Sequence, residues 1–243
     1  MKVLYYDCFA GISGDMNIGA LIDLGVPKEH LLEELAKLNI EDEYTLDIIP
    51  SSKMGIHGTK FTVKLNHHHD DHNHHHRHLS HIEKLILESF LSDQVKKISL
   101  SIFKRVADAE AKIHNTSIDE VHFHEVGAVD SIIDIVGGAV CLEYLKAYKI
   151  FSSPVQLGGG FVRCAHGTFP VPAPATLEVI KNIPVSFGKV MHEATTPTGA
   201  AIIAEISDEF IYPNNMKVLA TGYGIGGRDV EIPNVLRVIL GEI

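Results

Sequence analysis

The chain reads as a mixed α/β protein, a mixed sheet flanked by helices, on three observations. Strand formers crowd residues 3–8 at one end and the segments KVLATGYGIGG and NVLRVIL at the other. Apolar residues between these ends recur at helical spacing. Finally, 45% of the 243 residues are hydrophobic, enough to bury a sizeable core in one large domain or two lobes. Disorder throughout is excluded by the same composition.

The elements follow in order. Residues 3–8 form a strand, and Gly11, Ile12, Ser13, Gly14 and Asp15 make a loop before an apolar-periodic helix that runs to Leu24. Gly25 ends that helix and Pro27 opens another, with Leu31, Leu32, Leu35 and Leu38 on one face. Residues 44–49 and 59–65 are strands separated by the turn formers Pro50, Ser51, Ser52 and Gly55. Helices are expected over 82–90, over 95–114 with Ile98, Ile102, Val106, Ala109 and Ile113, and over 130–147. From Pro154 the texture turns to Gly- and Pro-rich loops, the kind of segment that carries function, with short helices at 173–181 and 198–206. The terminal segments close the fold as two strands, and no internal repeat is evident.

A formal net charge of −10, with the histidines neutral, disfavours nucleic acid and anionic membrane as partners. The start has no long apolar h-region and no window is long enough for a membrane span, so a soluble, cytoplasmic protein is expected. Cys8, Cys141 and Cys164 make no C-x-x-C pair and no disulfide framework, which fits a reducing compartment. Cys141 sits in an apolar helical run and reads as packing, whereas Cys8 and Cys164 adjoin Gly-containing turns where ligands are often held.

One insert stands apart from this pattern. Between residues 66 and 81 lie nine of the 16 histidines, namely His67, His68, His69, His72, His74, His75, His76, His78 and His81, interleaved with Asp70 and Asp71. Such a stretch builds no core, and its polar residues do not offset the entropy of ordering, so it is expected to be a flexible loop. Imidazole beside carboxylate suits borderline divalent metals, with nickel or zinc foremost. A solvated low-complexity loop or an expression tag has similar composition, but the tract is internal, uneven and broken by acids and Arg77.

Four strings carry candidate chemistry. In Val121-His122-Phe123-His124-Glu125, an extended backbone sends His122 and His124 to one face, where they can meet one cation with Glu125 as ligand or base. Asp130 follows as a further ligand or a plain N-cap, with Asp134 four residues on, on the same helical face. In Asp7-Cys8-Phe9-Ala10-Gly11-Ile12-Ser13-Gly14-Asp15, the end of the first strand meets a helix start whose free amides suit a phosphate. It is neither a Walker A motif nor a dinucleotide fingerprint. His166, beside Gly167 and ahead of alternating prolines, is a candidate acid, base or ligand, although a lone histidine is usually structural. Thr195, Thr196 and Thr198 mark another helix start, an anion cradle or a cap with Pro197 at its first position.

Taken together, YYDCFAGISGDMNIGALIDLGVP, VHFHEVGAVDSIIDIVG, HGTFPVPAPATLEVIKNIPV, TPTGAAIIAEI and PNVLRVILGE resemble the LarC family, the nickel insertion proteins of nickel-pincer nucleotide biosynthesis, over nearly the whole chain. The resemblance implies an enzyme, a lyase- or chelatase-type cyclometallase, that inserts nickel into pyridinium-3,5-bisthiocarboxylic acid mononucleotide at the expense of CTP. The product is the cofactor of lactate racemase and related enzymes. It also implies that residues 1–243 are an N-terminal portion, whose partner is a C-terminal portion that binds CTP with Mg or Mn. On this reading His122, His124, Glu125 and Asp130 handle nickel, Glu125 and His166 are candidate bases, and the loop from Gly11 to Asp15 with Thr195, Thr196 and Thr198 holds the substrate phosphate. Asp7 and Cys8 join the candidate catalytic groups. The alternative is a nickel chaperone or store built around the His tract, and a homo-oligomer is left open.

Overall fold

The structure, a computed structural model, describes residues 1–66, 77–121, 128–164 and 167–243. Strand β1 (Lys2–Asp7) leads to helices α1 (Gly14–Asp23) and α2 (Lys28–Ala36), followed by the hairpin of β2 (Tyr44–Lys53) and β3 (Ile56–Leu65). Helices α3 (Leu79–Glu88), α4 (Asp93–His114) and α5 (Val129–Leu145) come next, then β4 (Lys149–Ser152), β5 (Val155–Gln156), β6 (Phe161–Cys164) and β7 (Gly167–Pro170). The order ends with α6 (Pro174–Val179), β8 (Val185–Ser186), α7 (Pro197–Ile206), β9 (Lys217–Ile225) and β10 (Val235–Glu242).

Six strands form one mixed sheet in the order β2-β3-β9-β10-β1-β4, so the expected mixed α/β class is the observed one. β1 pairs antiparallel with β10, setting Asp7 opposite Arg237, and parallel with β4, setting Tyr6 opposite Ser152. Val3, Leu4 and Tyr6 of β1 are wholly buried, as befits an interior strand covered on both faces. The hairpin turns at Met54 and Gly55, both at positive φ, a two-residue connection that matches the strand twist. Pro50, expected in a turn, instead lies within β2. It is tolerated because β2 is the edge strand, where one row of N–H groups has no neighbour to reach.

The helices stack on the sheet in layers. α1 lies against β3, β9 and β10, α5 packs on α1 and α2, and α4 lies against α5 while touching α6 and α7. Because α5 is enclosed in this way, it is apolar nearly all round, from Ile132 and Ile133 to Val140 and Cys141, and Asp134 is the one acid in its buried middle. α4 begins with Ser92, whose hydroxyl accepts from the Val95 N–H at 3.2 Å, and stops at Asn115 in the left-handed conformation. On the opposite face of the sheet a smaller apolar group forms from Val3, Tyr5 and Phe151 with Met216 and Ile239. β4 to β8 have two to four residues each, too few to show a period, and only β6, the strand-like run that ends at Cys164, is signalled in the sequence. Among the described residues no helix is long and apolar enough to cross a membrane.

Phe103 is fully buried in α4 and tests the docking of that layer. Phe103→Ala should lower the unfolding free energy by about 3–5 kcal/mol in a urea titration. A loss below about 1 kcal/mol would mean that α4 does not pack as described.

Candidate functional site

Past the end of β1 the chain enters a loop that is fastened to a distant segment. Ile12 forms a parallel bridge with Thr195, in which the Ile12 N–H donates to Thr195 Oγ1 at 3.3 Å and the Thr196 N–H donates to the Ile12 carbonyl at 3.2 Å. Thr195 Oγ1 in turn donates to the Gln156 carbonyl at 2.7 Å, so this buried hydroxyl is spent on fastening and does not face a ligand. The bridge brings two helix starts side by side. Ser13 stands at the N-cap of α1, and Thr196 caps α7 by accepting from the Gly199 N–H at 3.1 Å. The approach is close enough that a Cβ on Gly199 would lie 2.1 Å from the Ile12 carbonyl oxygen.

The third wall comes from α5. A Cβ on Gly14 would sit 2.4 Å from Asp134 Oδ2 and 2.5 Å from Asp134 Cβ, so only glycine lets the start of α1 rest against this carboxylate. A pocket of about 350 Å³ opens where these parts meet. Ser13, Gly14 and Asp15 line it from α1, Asp130, Ser131 and Asp134 from α5, and Glu193, Thr196 and Thr198 from the α7 side, with Phe61 to Val63 of β3 as the remaining wall. The structure thus gathers six of the candidates, Ser13, Gly14, Asp15, Asp130, Thr196 and Thr198, into one place. Asp134 and Glu193 join them. The signal for Asp134 lay in the sequence, an acid four residues after Asp130 in a helix otherwise apolar.

Among the described residues the lining holds four carboxylates and no basic side chain. Desolvation raises the pKa of Asp15, against the hydroxyl bond donated by Ser13, and likewise raises that of Asp130, which accepts from the Ser131 N–H at 2.8 Å. Asp134 is pushed well above the carboxylate range, first by burial and then by the negative charges of Asp15 and Asp130. Glu193 lies 3.8 Å from Arg228. Such a field attracts cations and repels a bare phosphate, which counts against the phosphate role expected for Gly11, Ser13, Gly14, Asp15, Thr195, Thr196 and Thr198. Asp130 is not the N-cap of α5. That position is Ala128, and Asp130 sits in the first turn at the pocket.

The other candidates lie elsewhere. Asp7 is held by Arg237, whose Nε donates at 3.0 Å and whose Nη2 donates to the same Oδ2, while the guanidinium lies 5.9 Å from the Phe9 ring centroid. Cys8 is fully buried 3.9 Å from Ser152 Oγ, and burial pushes its thiol up to about 12, so at neutral pH it is not a thiolate nucleophile. His78 stands at the N-cap of α3 with its ring 5.7 Å from that of His81. His67, His68, His69, His72, His74, His75 and His76, and likewise His122, His124, Glu125 and His166, lie outside the described residues. Among the described residues no three His, Cys, Asp or Glu side chains form a ready-made metal cage.

A family model described as nickel insertion protein matches residues 4–243. The chain belongs to the nickel insertion protein family. It is 61% identical to the pyridinium-3,5-bisthiocarboxylic acid mononucleotide nickel insertion protein of Clostridium kluyveri, covering 100% of this chain and 62% of the relative. Proteins of the same name from Clostridium acetobutylicum and Akkermansia muciniphila are 55% and 52% identical, again over 100% of this chain, with 64% and 61% of their own lengths covered. The chain therefore spans less than two thirds of these nickel insertion proteins. No solved structure matches it significantly.

Within this family member, the contact between α1 and α5 makes a direct prediction. Gly14→Ala should destabilise the protein by about 1–3 kcal/mol in urea titration, since the new methyl has to displace Asp134. An unchanged midpoint would remove that contact from the account. The Cys8 thiol makes a second. Its folded value of about 12 exceeds the ordinary 9.0, so the stability it contributes is complete below about pH 9 and is lost as pH rises through about 12. At pH 8 Cys8 should resist iodoacetamide in the native protein and react in denaturant, read by peptide mass spectrometry. Rapid native labelling would show that it is accessible.

Proposed function

We propose that this chain is the part of a nickel insertion protein that receives nickel and presents it to pyridinium-3,5-bisthiocarboxylic acid mononucleotide. The family match over residues 4–243 carries the reading, and the acidic pocket supports it, because its charge suits cation handling. Insertion replaces a ring proton with nickel. The C–H bond breaks with its electron pair left on carbon, that pair forms the bond to Ni(II), the proton passes to a base, and the two thiocarboxylate sulfurs take the flanking positions. The metal is cargo throughout and keeps its charge state.

His122, His124 and Glu125 precede Asp130 by five to eight residues in the chain, which leads directly from them into the pocket lining at α5. We assign nickel presentation to these four and proton removal to Glu125 or His166, on the strength of side-chain chemistry. Imidazole and carboxylate bind Ni(II) firmly but exchange it more readily than thiolates do, which suits hand-over to the sulfurs of the substrate. The His tract serves as a local reservoir. CTP hydrolysis with Mg or Mn is assigned to the further length present in the longer relatives, the product is assigned to lactate racemase and its kin, and no step here passes through CTP.

The test is a nickel-insertion assay with the remaining portion of a full-length relative and CTP supplied. His122→Ala combined with His124→Ala should lower insertion by about 10²-fold or more at saturating nickel. Removal of residues 67–78 should lower it only at limiting nickel. Full insertion by the double variant would sink the assignment. A loss at all nickel concentrations in the deletion would instead favour the chaperone reading, in which the tract itself delivers the metal.

A further inference from the structure

We propose that Asp134, with Asp15 and Asp130, binds a divalent cation through carboxylate oxygens at the floor of the pocket. This site shares Asp130 with the nickel ligands assigned above but is built on carboxylate oxygens of described residues, and its test does not depend on the insertion chemistry. Acidic clusters are common on protein surfaces, where they are merely solvated, and Asp130 here is exposed, but Asp15 and Asp134 are partly buried. Asp134 Oδ1 is completely buried and has no hydrogen-bond partner, while the same side chain lines the pocket. Buried carboxylate oxygens are ordinarily satisfied, and one left without a donor marks a place where something else supplies positive charge.

The neighbours strengthen the case. Asp15 and Asp130 make the potential at Asp134 more negative, and among the described lining residues there is no Lys or Arg, although Lys60 acts on Asp15 from outside the lining. Gly14 removes the one Cβ that would push the Asp134 carboxylate away from the start of α1. Asp15 is meanwhile oriented by the hydroxyl of Ser13, its neighbour in the lining. Asp134 is flanked in α5 by the buried apolar Ile132, Ile133, Ile135 and Val136, and burying an unpaired carboxylate among them is costly unless it is compensated.

The three carboxylates do not by themselves form a closed cage, so the ion inferred keeps part of its water shell. Octahedral cations of the Mg type take one or two carboxylates and keep several waters, leaving positions for a ligand. Carboxylate oxygen also accepts Ni(II), so the site can serve a resident hard cation or the nickel cargo, and the chemistry is the same in both cases.

The experiment is Mn²⁺ titration of the full 243-residue chain by electron paramagnetic resonance, with Mn²⁺ as probe because it ranks lowest of the divalent series for imidazole and so spares the His tract. One Mn²⁺ is expected per chain, accompanied by a rise in Tm. Asp134→Asn should weaken binding at least tenfold and abolish that rise, whereas Asp108→Asn, on the exposed side of α4, should leave both unchanged. Should Asp134→Asn fail to fold by circular dichroism, Asp15→Asn and Asp130→Asn carry the test. Added Ni²⁺ should displace the bound Mn²⁺, because Ni²⁺ ranks above Mn²⁺ at a shared oxygen site. Equal Mn²⁺ affinity in the wild type and the folded pocket variants would overturn it, leaving Asp134 as a neutral buried acid.

Discussion

The parallel bridge between Ile12 and Thr195 is the contact on which the rest of the site depends. It joins the loop after the central strand to a segment more than 180 residues later in the chain, by one backbone and one side-chain hydrogen bond. Both helix starts are placed by it, since Ser13 and Thr196 are the next residues along each strand of the bridge. Closing so long a loop is entropically expensive, and the buried Thr195 hydroxyl, bonded on both sides, keeps the closure from leaving unsatisfied polar groups. Close backbone approach at Gly14 and Gly199 then sets the spacing between the walls.

What this frame encloses is electrostatic in character. Helix N-termini carry partial positive charge and ordinarily receive anions, and the two that converge here would suit phosphate if they stood alone. They do not stand alone. Each terminus contributes roughly half a charge, and the described lining surrounds the pair with four carboxylates. The backbone geometry that suggests an anion site in sequence is thus set among acidic side chains once the fold assembles them.

This arrangement agrees with the proposed handling of a metal. A histidine-rich tract gathers borderline divalent ions by composition and needs no fixed geometry to do so. α1, α5 and α7 set the pocket's carboxylates and hydroxyls on rigid elements around a buried core. Asp7 and Cys8, at the end of β1, serve the frame. The first is paired with Arg237 across the sheet, and the second is sealed among core residues with Ser152 beside it.

Much of this was legible in the amino-acid order, because local rules govern it. The alternation of strand and helix, the end of α1 at Gly25, the long α4 and the two closing strands all follow from apolar period and turn residues. The motif strings pointed to the family, and Ser13, Asp15, Asp130, Thr196 and Thr198 were singled out by helix-start chemistry that depends only on near neighbours. Apart from β6, strands of two to four residues escaped notice, since they carry too little pattern, as did the passage of Pro50 through an edge strand. The sequence by itself determined which elements form and which residue types crowd their ends. Only the tertiary structure decided that Asp134 turns into the pocket, that Thr195 and Cys8 turn away from it, and that the pocket is acidic. Charge, burial and hydrogen bonding there arise between segments far apart in the chain, and long-range contact leaves no period in a sequence.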